Sequence, residues 1–281
     1  LTCTKEHPFF ILNSEIKQIR ADELDNSSFI AVPRTLDLIS KEIKFNLSSL
    51  IDLKIYEDNE DYIKVKLYNN SKIVRIPKRM SAELSRLIGY IMGDGHIDKN
   101  LSQITFFNED NKILMDYINC MYEIFEIKPE IKKQKNRCRK VDVPNKLIAR
   151  FFNEILEIPK GRKSGIITIP DYLMFSEKKY LKEFIKALFE CDCYVDRRVS
   201  ALYFTTKSQK LAYDLSLALE RFGVLPMLKK KFKRATNSNH KGNFYHDVIF
   251  AGKNLFIFNN EIGLISERKS KRITDSIRTV F

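Results

Sequence analysis

Two apolar stretches that stop at an acid dominate the hydrophobic pattern of this chain. They are Leu87-Ile88-Gly89-Tyr90-Ile91-Met92-Gly93-Asp94-Gly95 and Ile185-Lys186-Ala187-Leu188-Phe189-Glu190-Cys191-Asp192-Cys193, and their acids stand 98 residues apart. Each stretch carries small residues four apart, Gly89 and Gly93 in the first, Ala187 and Cys191 in the second. Residues at that spacing share one helix face, and small ones let two backbones come close. The pattern predicts two helices packed on each other, each delivering an Asp where its apolar run ends. A carboxylate there meets the negative end of the helix dipole, at a cost of about 0.3–1 kcal/mol unless a cation offsets it. Two such acids side by side ask for a metal.

The repetition continues beyond the helices. Ile104-Thr105-Phe106-Phe107-Asn108 after the first motif and Leu202-Tyr203-Phe204-Thr205-Thr206 after the second read as strands. Next, Asn111 to Phe125 shows helical spacing of Ile113, Leu114, Tyr117, Ile118, Met121 and Ile124, and Ser208 to Phe222 does so with Leu211, Leu215, Leu217 and Leu219. Both helices end in a Phe followed four residues later by Pro, at Pro129 and Pro226. Further on, Asn153-Glu154-Ile155 matches Asn260-Glu261-Ile262, and Arg162-Lys163-Ser164 matches Arg268-Lys269-Ser270. Each half reads as helix, strands, helix, strands, helix. The fold class is α+β, duplicated about a pseudo-twofold axis, with repeats at 81–175 and 176–281 and a small β-rich unit at 1–80.

A basic stretch occupies the same place in both halves and reads as paired strands. It comprises Lys132, Lys133, Lys135, Arg137, Arg139 and Lys140 in the first, and Lys229, Lys230, Lys231, Lys233 and Arg234 in the second. A lone run of this kind is usually a solvated hairpin, but two at equivalent positions favour a polyanionic partner. The composition agrees: Lys and Arg total 49 against 36 Asp and Glu, a formal charge of +13 over 281 residues. With 44% hydrophobic residues the chain can fill real cores. No run of about 18 apolar residues and no secretory pattern occurs, so a membrane span is not expected. The five cysteines, Cys3, Cys120, Cys138, Cys191 and Cys193, form no CxxC pair, which speaks against zinc and a disulfide framework and for a reduced, cytoplasmic setting. His96, His240 and His246 lack metal-ligand spacing, although His96 lies two residues past Asp94. No glycine-rich phosphate loop is present.

The acid-tipped helices resemble the LAGLIDADG homing endonuclease family in its two-motif, single-chain form, closely in the first copy and more loosely in the second. The resemblance implies that the motif helices pack at the pseudo-twofold axis and that Asp94 and Asp192 bind Mg²⁺ or another divalent cation, with Gly93 and Cys191 just before them at the same metal site. It further implies phosphodiester hydrolysis by metal-activated water without a side-chain nucleophile, and antiparallel sheets laid into the major groove of double-stranded DNA over a long specific site by a monomer. The basic residues would grip phosphates, while Gln103, Asn108, Thr205, Thr206 and Gln134 could read base edges. Two positions depart from the family. Cys193 replaces a Gly that would leave the helix in a left-handed conformation, at a cost of roughly 1–2 kcal/mol for a residue with a Cβ. Ile167 stands three residues before Pro170, where intein-borne members often carry a catalytic Lys. Lys163 and its repeat equivalent Lys269 are the substitutes for basic groups that stabilise phosphate charge; exposed lysines near helix ends are the alternative.

The first 80 residues resemble part of an intein splicing (Hint) domain. Leu1-Thr2-Cys3-Thr4-Lys5-Glu6-His7-Pro8 matches the block whose Thr and His assist splicing, here Thr4 and His7, and Ile19 to Leu24 with Phe29 to Arg34 matches a second intein stretch. The chain starts at Leu1 and ends at Phe281, so as it stands it lacks the nucleophile and the terminal His-Asn pair of a splicing protein. Cys3 reads as a small core residue. Strands such as Tyr62 to Leu67 complete this remnant, which could touch DNA beside the core. Three functions follow from the sequence. The leading one is a site-specific endonuclease that makes double-strand breaks. The others are a DNA-binding protein on the same scaffold that has lost cutting, and an RNA-binding maturase.

Overall fold

Hydrophobic spacing and capping residues set the helices, and the two repeats then fold to one pattern. The computed structural model describes residues 2–36, 38, 40, 42–50, 54–67, 72–196, 198–234 and 242–278; His240 lies outside them. The N-terminal part forms two three-stranded sheets rather than one. The first holds β1 (Pro8–Asn13), β2 (Glu15–Arg20) and β3 (Phe29–Ile30) in the order β2-β1-β3, the second β4 (Lys54–Asp58), β5 (Tyr62–Lys66) and β6 (Val74–Pro77) in sequence order. The second sheet buries Val65, Val74 and Ile76 against the first repeat, and Arg75 Nε donates to the carbonyl of Ile124 at 2.8 Å. The first sheet buries only Ile11 and leaves Phe10, Leu12, Ile16 and Phe29 exposed. A turn joins Thr4 and His7, whose amide donates to the Thr4 carbonyl at 3.2 Å. Cys3, expected in the core, is exposed: it precedes the first strand and has no layer to pack into.

The first repeat runs α1 (Ala82–Met92), β7 (Gly95–Ile97), β8 (Ile104–Phe107), α2 (Asn111–Phe125), β9 (Ile131–Gln134), β10 (Arg137–Val143) and α3 (Lys146–Arg150), which continues as a π-helical turn over Phe151–Ile155. After α4 (Asp171–Met174), the second repeat follows with α5 (Lys178–Asp192), β11 (Cys193–Asp196), β12 (Ala201–Thr206), α6 (Gln209–Glu220), β13 (Met227–Lys233), β14 (Asn243–Ala251), α7 (Gly252–Glu261) and α8 (Glu267–Arg278). The strand orders are the same, β7-β8-β10-β9 and β11-β12-β14-β13, all neighbours antiparallel. Caps fix the helix starts: Ser81 accepts from the amide of Leu84, Asp110 from that of Lys112, and Ser208 from that of Leu211. All six apolar residues that mark α2 in the sequence are buried. In α6 the stripe is Leu211, Leu215 and Leu219, while Leu217 sits half a turn off it and is exposed.

The motif helices α1 and α5 pack on their small residues. A Cβ at Gly89 would lie 2.4 Å from the carbonyl oxygen of Phe184 and 2.9 Å from the Cβ of Ala187; one at Gly93 would lie 2.5 Å from the Cβ of Cys191. Polar bridges fix the pair across its upper end. Ser85 Oγ donates to the Tyr180 carbonyl at 2.5 Å, and Arg86 joins Asp116 on α2 at 2.7 Å to Glu183 on α5 at 2.5 Å. Both acidic tips are thereby held at one end of the helix pair.

Candidate functional site

The site forms where α1 and α5 end, and each end is built differently. The α1 chain turns at Gly93 and Asp94 and enters β7 at Gly95, where a Cβ would lie 2.5 Å from the Cα of Ile91. Helix α5 instead stays helical through Asp192 and passes straight into β11 at Cys193, with φ −93° and ψ 152°. The strain expected at Cys193 is therefore absent: it occupies extended backbone open to any residue, and its counterpart Gly95 serves close approach to Ile91 rather than a left-handed turn.

The structure brings Asp94, Asp192, Lys163 and Lys269 together. Burial pushes the Asp94 carboxyl above its ordinary range, and the charges of Lys269 and Lys163 oppose the shift along with hydrogen bonds from Cys191 and Asn108. Asn108 Nδ2 lies 3.4 Å from Asp94 Oδ2. Asp192 has exposed surface yet is ringed by protein; that surrounding, and then the charge of Asp94, raise it to about 6. Each acid thus feels both lysines. Lys163 Nζ donates to the Gly93 carbonyl at 2.8 Å, and burial lowers its pKa against the pull of Asp192 and Asp94. Lys269, only 9% exposed, donates to the carbonyls of Phe189 and Glu190 and lies 3.8 Å from Cys193 Sγ. Neither is an exposed helix-end lysine. Ile167 is 4% exposed in the core, and its amide donates to the Lys163 carbonyl at 3.1 Å. Lys163 stands one turn earlier in the chain, beside the acids.

The half-buried Cys191 sets its thiol against Asp94, and its pKa rises through loss of solvent and then through the charges of Asp94 and Asp192. Gly93 and Cys191 lie next to the two acids, packed on each other where the helices end. Among the described residues no group of three or more His, Cys, Asp or Glu is gathered for a metal. The oxygen donors the side chains bring here are two carboxylates, since the carbonyl of Gly93 is bonded to Lys163 and those of Phe189 and Glu190 to Lys269. His96 is exposed on β7 beside Asp98 rather than in the site.

Pleating sorts the basic runs, which in the sequence look uniform. Lys229, Lys231 and Lys233 oppose Asp247, Tyr245 and Asn243 on the outer sheet face. Lys230 points to the opposite face, 4.6 Å from the ring of Phe244. Lys132 and Lys140 lie on the outer face of the first sheet, and Lys133 alternates away from Lys132; Lys135 and Arg137 flank the exposed hairpin turn at Asn136, with φ 55°. Arg139 is tied to the Glu109 carbonyl and Asn111 Oδ1, and Arg234 lies beyond the end of β13. Of the expected base readers, Thr206 is 6% exposed and faces the core, where its hydroxyl accepts from the amide of Ser208. Gln134 is engaged with the Cys138 carbonyl, and Thr205 with Asp247. The amide of Gln103 is 3.4 Å from Asp98.

Sequence reasoning missed a pair of acids. Asp142 is held by Thr105, Lys132 and Lys140 at 3.0, 3.1 and 2.9 Å, and Asp247 by Thr205, Lys231 and Lys233 at 2.8, 2.9 and 3.3 Å. These lysines keep both carboxyls below their ordinary range in spite of burial. An acid at even spacing from a strand lysine, as in Lys140-Val141-Asp142, is the signal that could have found the first.

With this geometry in place, the comparisons with known proteins are specific. A family description reading "LAGLIDADG-like domain" matches residues 81–156 and 179–263, the two repeats, and the chain belongs to that family. Two relatives come from Methanocaldococcus jannaschii. Its replication factor C small subunit is 30% identical over 99% of this chain, and its glutamine–fructose-6-phosphate aminotransferase is 24% identical over 85%. The chain spans 13% and 21% of the lengths of these two relatives. Among solved structures, variants of the homing endonuclease I-DmoI align over 65% of this chain and 95% of theirs, with 15% identity and a TM-score of 0.45. Among the described residues no helix is long and apolar enough to cross a membrane.

Proposed function

We propose that this chain is a site-specific DNA endonuclease that hydrolyses both strands of a duplex at a single composite site. The observation that carries this reading is the convergence of one acid from each repeat, Asp94 and Asp192, beside the buried Lys269 and the half-buried Lys163. Two carboxylates that burial holds above their ordinary pKa suit a hard divalent cation, which takes oxygen donors and retains water. Asp94 and Asp192 would hold it. A bound Mg²⁺ supplies an activated water and charge stabilisation for the leaving oxygen. Lys163 and Lys269 stabilise charge developing on the phosphate, and the outer lysines of the two sheets hold the backbone of double-stranded DNA. The relatives carry unrelated activities in their names yet share this segment, which supports an inserted, intein-type module; Thr4 and His7 would be its splicing-block residues. A second reading, DNA binding without cutting, draws on the small donor set. Incubation with Mg²⁺ and a randomised duplex library separates the two. Recurrent new ends at one sequence are expected; retained binding with no new ends would leave only the second reading.

Two further results follow from the same geometry. The folded state favours protonated Asp192, so the stability it contributes is present below the ordinary carboxylate pKa and lost as pH rises through about 6. Asp192→Asn should melt with the wild type near pH 4 and above it at pH 7.5, by about 1 kcal/mol once solvent screening is allowed for. Millimolar Mg²⁺ should raise the wild-type Tm at pH 7.5 and leave that of the variant unmoved. For the duplex contacts, Lys229→Gln should flatten the plot of log affinity against log salt by about one unit, and Lys230→Gln should not, because it faces away. Equal slopes would place the DNA face elsewhere.

A further inference from the structure

The two outer sheet faces share a lysine-clamped acid but differ in the row of side chains beside the proposed cleavage site. In the second repeat one cross-strand row reads Tyr194, Tyr203, Ile249 and Met227. The tyrosine rings are stacked, 4.8 Å apart with planes at 5°, and Tyr194 and Met227 are 46% and 66% exposed. In the first repeat the same row reads His96, Thr105 and Asp142. Each row begins two residues after its motif Asp, so the rows are equivalent in place and opposite in polarity.

From this difference, and resting on the duplex-DNA reading above, we infer that the tyrosine row of the second repeat selects thymine beside the cut and that the first repeat does not. The C5 methyl of thymine is the apolar feature of the major groove, and an apolar side chain is what discriminates it. Lys231, 5.7 Å from the Tyr203 ring, and Lys229 on the neighbouring row supply the positive charge that draws a phosphate backbone to this face. The first row has no apolar side chain: His96 is exposed, and Thr105 and Asp142 are buried and bonded to each other.

The test uses a duplex recovered by binding selection with the full chain, with uracil replacing thymine in one half-site at a time to remove only the methyl groups. Replacement in one half should weaken binding about three- to tenfold, and in the other less than about twofold. Tyr203→Ser should abolish the larger effect while duplex binding persists, which assigns that half to the second repeat. Equal sensitivity of the halves, recovered sites without A·T preference in either half, or an unchanged effect in Tyr203→Ser would overturn the inference and leave DNA binding intact. Failure to bind any duplex would overturn it together with the reading it rests on.

Discussion

Asp94→Asn and Asp192→Asn should each abolish double-strand cleavage while leaving duplex affinity within about tenfold of the wild type, because the sheets carry the phosphate contacts. Each substitution keeps the size of the side chain and removes a charge that the partner acid and both lysines sense. The composite arrangement makes the effect sharp. With one acid gone, the remaining carboxylate faces two ammonium groups with no divalent cation to organise; removal of a charge-stabilising group ordinarily costs about a hundred- to a thousandfold in rate, and loss of a shared cation ligand should cost no less. Cleavage of a labelled duplex and mobility-shift titration, run in parallel, read the two quantities separately. A variant that cuts at the wild-type rate would remove its Asp from the site.

The second large effect concerns the helix pair. Replacing a helical glycine by alanine ordinarily adds about 0.5–1 kcal/mol of stability. Gly89→Ala should do the reverse, with a loss of about 3 kcal/mol in urea unfolding, because its Cβ would fall 2.4 Å from a backbone oxygen of α5 that cannot rotate away. Gly89→Leu should prevent folding. Gly165→Ala, in a turn where a Cβ would meet nothing within 4 Å, is the steric control and should cost little. A neutral Gly89→Ala would mean that the helices do not approach as described.

What the sequence made legible was what depends on spacing along the chain. The stripe of α2 from Ile113 to Ile124 and the acids at the ends of the two apolar runs needed no knowledge of partners. The repeated Arg-Lys-Ser blocks pointed to Lys163 and Lys269, and the fold places both beside the acids. Properties that depend on which face a residue takes were hidden. The lysine run from 229 to 233 is uniform in sequence, yet the pleat divides Lys230 from its neighbours, and Thr206 turns to the core beside the start of α6. A missing glycine at Cys193 suggests a strained left-handed turn, whereas its counterpart Gly95 serves close contact with Ile91. Asp142 and Asp247 are lost inside basic strands, since only strand pairing reveals that each joins two lysines and a threonine. Ile167 belongs to the core, and the lysine beside the acids is Lys163, brought there by a turn that spacing from Pro170 could not show.

The most direct measurement is cleavage of a defined duplex, selected by binding to the full chain, as Mg²⁺ is raised from zero. One double-strand break at a fixed position, dependent on the cation and absent in Asp94→Asn and in Asp192→Asn, is the expected result. A duplex that stays bound and intact at every Mg²⁺ concentration, or a break that survives loss of either acid, would contradict a single cleavage site built from both repeats.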